Sequence, residues 1–223
     1  MADLTAVVAA TTNEHKLREI AAILAPLGYE VISREQAGVP DFEVEETGDT
    51  FEENSFLKAI AIFDWLGGHT ATLADDSGIE ADALGGAPGV WSARFAQADD
   101  LDDFVAAEIN EEQSHRSLQD RANNKKLLRL LDGIPEGQRS ARFVSVITCL
   151  RPGCEAIVCR GEVEGKVDLQ ETGKAGFGYD PLFIPEGYDH SFGLFTPEDK
   201  NALSHRGAAL KMLAKELAAD GSE

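Results

Sequence analysis

Asp75 and Asp76 stand side by side in ADDSGIEADALGGAPG, closing the short apolar run of residues 71–74. Adjacent carboxylates at that place allow three readings: a turn, a metal site or a catalytic base. Asp-Asp-Ser-Gly is good turn chemistry. The same pair could hold Mg2+, which takes oxygen ligands and keeps several of its waters. One carboxylate could also orient or deprotonate a water beside that metal. Ser77 adds a hydroxyl, and Gly78 permits a close backbone approach. A second Gly-rich bend, GGAPG, and then Arg94 follow.

Three other stretches carry polar groups at useful spacing. ATTNEHK follows an apolar run and precedes a helical pattern. Backbone N–H groups at such a helix start can face an anion, with Asn13 donating to a phosphate oxygen and Lys16 acting as a point charge. The plainer reading is that Thr12 or Asn13 caps the helix. EETGDTFEENSFLKA offers Glu45 and Glu46 before a helix, with Asn54 and Lys58 on one helical face. Alone it is equally well a solvated loop and an ordinary i,i+4 pair. GFGYDP and KNALSHR bring Phe177, Tyr179, Asp180, Lys200, Ser204, His205 and Arg206. An aromatic there could stack on a nucleobase, and Asp180 could accept from a base N–H.

These groups need elements to position them. Residues 4–10 read as a buried strand, followed by a helix with Leu17, Ile20, Ala21 and Leu24 on one face, which Gly28 can stop. Residues 30–33 suit a second strand, so the chain opens as strand, helix, strand. Thr50 and Glu53 form a capping box for a helix with Phe56, Ile60 and Phe63 on one side, ending near Gly67 and Gly68. A strand at residues 72–74 leads into the paired aspartates. Residues 101–131 read as helical, in two pieces. Residues 141–150 and 155–167 read as strands joined at Pro152-Gly153, and GFGYDPLFIP as a loop entering a short strand. Pro197 suits a first helical position, and Leu210, Leu213 and Leu217 stripe the last helix. A βα opening combined with a hairpin predicts an α/β fold whose mixed central sheet is flanked by helices.

The chain has 223 residues and is 43% hydrophobic, enough for one substantial globular domain. No apolar run approaches the about 18 residues that span a bilayer, and the N-terminus lacks signal-peptide features; a cytoplasmic protein with no membrane partner is expected. The three cysteines, Cys149, Cys154 and Cys159, match no common zinc spacing and no disulfide framework. A net charge of −20 argues against nucleic acid as a partner. It does not exclude a small anion, because screening confines each charge to roughly 8 Å.

Five blocks, ATTNEHKLREI, EETGDTFEENSFLKA, ADDSGIEADALGGAPGVWSARFA, GFGYDPLFIP and KNALSHRGAAL, together resemble the inosine/xanthosine triphosphate pyrophosphatases. The resemblance implies hydrolysis of ITP, dITP and XTP to the monophosphate and pyrophosphate. It also implies Mg2+, a homodimer, and one two-lobed domain over residues 1–223 with the active site in the cleft. Thr11, Thr12, Asn13, Glu14, His15 and Lys16 match the substrate-binding start, with Thr12 standing where glycine is frequent. Glu46 matches a metal ligand, with Glu45 as its neighbour. Asp76 matches a metal ligand and general base, leaving Asp75 a supporting role. Ser77 and Lys58 match substrate contacts. Phe177, Gly178, Tyr179, Asp180, Lys200, His205 and Arg206 match the base pocket, where Lys200 or Arg206 could donate to a 6-keto group. A related pyrophosphatase with another base preference, a dehalogenase-type phosphatase, which wants D-x-D spacing, and a nucleotide sensor are the alternatives.

Overall fold

The structure, a computed structural model, describes residues 5–96 and 115–220. Its six-stranded sheet has the order β2-β1-β3-β4-β5-β6. The strands are β1 (Thr5–Ala9), β2 (Tyr29–Ser33), β3 (Thr72–Ala81), β4 (Ser140–Leu150), β5 (Ile157–Val167) and β6 (Phe183–Pro185). The helices are α1 (Glu14–Leu24), α2 (Phe51–Trp65), α3 (His115–Leu131), α4 (Pro197–Leu203) and α5 (His205–Asp220). Strand β1 runs parallel to β2 and to β3, whereas β5 and β6 are antiparallel, so the sheet is mixed. No helix among the described residues is long and apolar enough to cross a membrane.

The chain divides into two compact units. The first holds residues 1–77, 144–162 and 201–223; the second holds 78–143 and 163–200. In the first unit the apolar residues sort by strand face. Val7, Ala9 and Leu73 join Ile20 and Leu24 of α1 and Leu210 and Leu213 of α5 in one buried cluster. Val8, Ala10 and Ala74 join Ala59 and Ile62 of α2 in another. This follows from the two-residue period of a strand, which sends successive side chains to opposite faces. In the second unit Phe143, Phe183 and Phe192 pack together, with ring centroids 4.5 to 6.1 Å apart.

Two expectations change. The strand at residues 72–74 extends to Ala81, so Asp75 and Asp76 lie inside β3 and no turn separates them from it. The bend comes later, at Gly85 and Gly86, which both have positive φ. The buried face of α2 carries Phe51, Asn54, Ser55, Ala59 and Ile62, not Phe56, which is 41% exposed. The small residues decide this: Ser55 Oγ lies 2.6 Å from Thr148 Oγ1 of β4, a close approach that a large side chain would block. Ile60 and Phe63 pack only at the margin of the cluster. A single helix, α3, covers residues 115–131, and the expected helical stretch at 101–114 lies outside the described residues. The capping box of α2 forms as expected, with Thr50 and Glu53 bonding reciprocally.

Candidate active site

Strand β3 outruns β1. The β1–β3 pairing includes Ala9 with Leu73, and Ala10 N–H donates to Leu73 O at 2.7 Å. Asp75 and Asp76 therefore project just beyond the end of β1, where the loop to α1 begins. Parallel α/β sheets place ligands at such strand ends.

The two aspartates point to opposite faces, and each meets its own cations. Asp75 lies on the α1–α5 face, fully buried. Its carboxylate accepts from Arg206 Nε at 2.9 Å and from Ser145 Oγ at 2.7 Å, and Lys16 Nζ stands 2.5 Å away. Burial alone would push the Asp75 carboxyl up, but Arg206 and Lys16 more than offset this and hold it well below the usual range. Lys16 is itself pushed down by burial, which Asp75 only partly counters. Arg206 also pairs with Glu19 and donates to Ser77 Oγ at 2.9 Å. Ser77 shares this face because it lies two residues beyond Asp75.

Asp76 lies on the α2 face. Its Oδ1 accepts from Lys58 Nζ at 2.6 Å, and the same ammonium reaches Glu46 Oε1 at 3.2 Å. Asp76 Oδ2 is buried and has no hydrogen-bond partner. Burial pushes the Asp76 carboxyl above its ordinary value; Lys58 and Lys16 oppose the shift, and Glu46 adds to it. Burial pushes Lys58 down, but two carboxylates against one ammonium outweigh it and raise its pKa. Between the two acids before α2 the structure brings in Glu46, while Glu45 is exposed.

The loop into α1 divides its residues sharply. Asn13 caps the helix, its Oδ1 accepting from the His15 and Lys16 backbone N–H groups. Its Nδ2 is buried and has no partner. Thr11 Oγ1 accepts from Asn13 N–H at 3.1 Å. Thr11, Thr12 and Glu14 border a cavity of about 920 Å3 that also touches Arg34 and Asp41. The Glu14 and His15 side chains are exposed, and Glu14 forms a solvated pair with Arg18.

In the second unit, Asp180 Oδ2 accepts from Phe177 N–H and from Lys200 Nζ, both at 2.7 Å. The Lys200 ammonium also lies 4.8 Å from the centre of the Phe177 ring. Gly178 takes the left-handed conformation, φ 61. Tyr179 is buried, and its hydroxyl donates to Ser92 O at 2.8 Å, so it anchors the loop. Gly78 is needed here too, since a Cβ would lie 2.5 Å from Gly89 O. His205 and Arg206 belong to the first unit, where His205 is buried as the first residue of α5. The guanidinium of Arg206 bonds Asp75, Glu19 and Ser77.

Sequence reasoning missed Glu19 and Ser145. A serine inside the apolar run FVSVITC was the visible signal for the latter. It also missed Asp120, Asn123 and Asn124, polar residues of poor helix propensity inside a helix.

For a divalent cation, the donor set fits. Asp76 offers a bare buried oxygen, and Glu46 converges on the same ammonium. Among the described residues no three His, Cys, Asp or Glu side chains gather as a closed metal cage. Hard cations such as Mg2+ typically use one or two carboxylates and complete the shell with water and phosphate oxygens.

Fold and site define a class: an α/β protein with carboxylates, ammonium groups and the unpartnered Asn13 amide gathered at the end of a parallel strand pair. The Ham1 family profile matches residues 7–216, and the chain belongs to the Ham1 family. It is 43% identical over 205 residues to a dITP/XTP pyrophosphatase of Desulforamulus reducens, covering 92% of this chain and 91% of that one. An Aquifex aeolicus protein of the same name is 43% identical over 208 residues, covering 93% and 94%. The structure of the Staphylococcus aureus Ham1 protein superposes with a TM-score of 0.76 at 36% identity, covering 97% of this chain and all of that one.

Proposed function

We propose that this chain is a dITP/XTP pyrophosphatase, hydrolysing ITP, dITP and XTP to the monophosphate and pyrophosphate. The observation that carries the reading is Asp76: buried, one oxygen pinned by Lys58 and the other bare. A buried carboxylate with one oxygen fixed and the other bare is placed to take a proton from a neighbouring water.

In this reading Asp76 Oδ2 receives the proton of the attacking water, while Lys58 fixes the carboxylate plane through Oδ1. Asn13 Nδ2 and Lys16 Nζ donate to phosphate oxygens. Glu46 and Asp76 would hold Mg2+, which when bound neutralises phosphate charge. In the second unit Phe177 offers a ring face to the base, and Lys200 donates to a 6-keto oxygen. Adenine presents an amino donor at that position. A site built around such a hydrogen bond rejects the mismatched analogue by about 10⁴ or more. The names of the relatives support the substrate class. Attack at the α-phosphorus and homodimer assembly rest on the family resemblance alone.

A Mg2+-dependent panel of ITP, XTP, GTP and ATP, with pyrophosphate and orthophosphate detected separately, tests the assignment. Pyrophosphate from ITP and XTP is expected, lost on chelation and restored by Mg2+. Orthophosphate as the product, or equal turnover of ITP and GTP, would refute it. In ¹⁸O-water the label should enter the monophosphate.

A further inference from the structure

Gly178 is gripped by a helix through both of its backbone polar groups. Its N–H donates to Asp120 Oδ2 at 3.1 Å, and its carbonyl accepts from Asn124 Nδ2 at 3.1 Å. Asp120 and Asn124 lie four apart on α3, so they share one helical face. The residue between the clamps has φ 61, and a Cβ there would meet nothing within 4 Å. Glycine is thus present for its conformation, which α3 then holds in place.

The neighbouring residues of the turn are tied to the same helix. Tyr179 donates to Ser92 O, and Asn123 Nδ2 donates to that same carbonyl at 3.2 Å. Asn123 Oδ1 accepts from Ala96 N–H at 2.8 Å. Asn124 also donates to Glu171 Oε1 at 3.3 Å. Its own Oδ1 is buried with no hydrogen-bond partner. A bare buried acceptor is costly, and asparagine and aspartate are weak helix formers. A helix that needed only to pack would do better with leucine or alanine at these positions. The polar residues are kept where they bond the turn that carries Phe177 and Asp180.

We propose that Asp120 and Asn124 are positioning residues for base recognition: they lock the Gly178 peptides and so set the directions of the Phe177 ring and the Asp180 carboxylate. The proposal rests on the pyrophosphatase reading and extends it to a helix that none of the five sequence blocks contains.

Asp120→Ala, Asp120→Asn and Asn124→Ala, assayed with ITP and GTP in Mg2+ and followed by hydrogen exchange, test it. One lost hydrogen bond in the alanine variants should raise KM for ITP roughly tenfold, with kcat within about twofold, the pattern of lost uniform binding. The ITP-over-GTP preference in kcat/KM should fall. Asp120→Asn keeps an acceptor for Gly178 N–H and should restore wild-type KM. Amide exchange at Phe177 and Gly178 should quicken in the alanine variants alone. Because Asp120 is half-buried, Asp120→Ala carries the test if Asn124→Ala fails to fold. Folded alanine variants with wild-type KM, preference and exchange would overturn the proposal, as would a fall in kcat at unchanged KM. Wild-type protein that releases no pyrophosphate from ITP would instead refute the pyrophosphatase reading, and the exchange measurement would still decide the clamp.

Discussion

Asp75 and Asp76 look like a redundant pair in the chain, but their environments give them opposite roles. Asp75 is enclosed by Arg206, Lys16 and Ser145 and is held ionised; Asp76 keeps one bare oxygen and is pushed towards protonation. Asp76→Asn should cut pyrophosphate release by about 10²–10⁴-fold, the usual size of a general-base contribution, with little change in unfolding free energy. Asp75→Asn should also destabilise the fold, by about 3–5 kcal/mol, because it removes the counter-charge that buried Lys16 and Arg206 share, leaving Arg206 to Glu19. Denaturant unfolding of the two variants separates the effects. The sign of the pH effect follows from the depressed Asp75 carboxyl. The unfolded chain binds its proton first, so the stability is present above about pH 3.8, the ordinary aspartate value. It is lost as the pH falls towards the lower folded value. Acid titration of wild type should show this loss, and Asp75→Asn should lack that component. The cysteines offer an independent check on burial. Cys149 is buried with its thiol pushed up to about 11, Cys159 is buried and raised, and Cys154 is exposed. Iodoacetamide at pH 8 should label Cys154 in native protein and reach the other two only after denaturation.

Among the elements, α2 shows how packing overrides a periodic reading. Its aromatic stripe suggested a buried face through Phe56, whereas the sheet is approached by Ser55 and Ala59. Small residues let helix and sheet backbones come close, and the Ser55–Thr148 hydroxyl contact marks the spot. Ser55→Leu should overpack this contact and cost about 1–3 kcal/mol. Phe56→Ala should change stability by no more than about 0.5 kcal/mol. Thermal unfolding of the pair decides between the two faces. The same close approach governs β5 and α5: a Cβ at Gly161 would sit 2.2 Å from His205 O.

For the molecule as a whole, charge is the dominant global property. A net −20 on 223 residues sets up self-repulsion across the surface. Added salt screens that repulsion, since the Debye length drops from about 30 Å at 0.01 M to about 3 Å at 1 M. The melting temperature should therefore rise as NaCl increases from 10 mM to 0.5 M. A flat or falling profile would show that specific ion pairs outweigh the net repulsion.

Much of this protein is local chemistry, and that part was legible from the chain. The capping box at Thr50, the asparagine cap at Asn13, the helix begun by Pro197 and the mixed character of the sheet need only neighbouring residues or short periodicities. The candidate groups for phosphate, cation and base stood in five short blocks whose joint resemblance to a known family suggested their roles. What the tertiary structure decided was direction and partnership. Strand β3 continues through the aspartates because each charge finds a lysine from a helix on its own side, which offsets the turn preference of Asp-Asp-Ser-Gly. Arg206 is drawn into Asp75 across 131 positions of chain, a pairing that no local pattern encodes. Asp120 and Asn124 acquire their role only because the fold lays α3 against Gly178, more than fifty residues away.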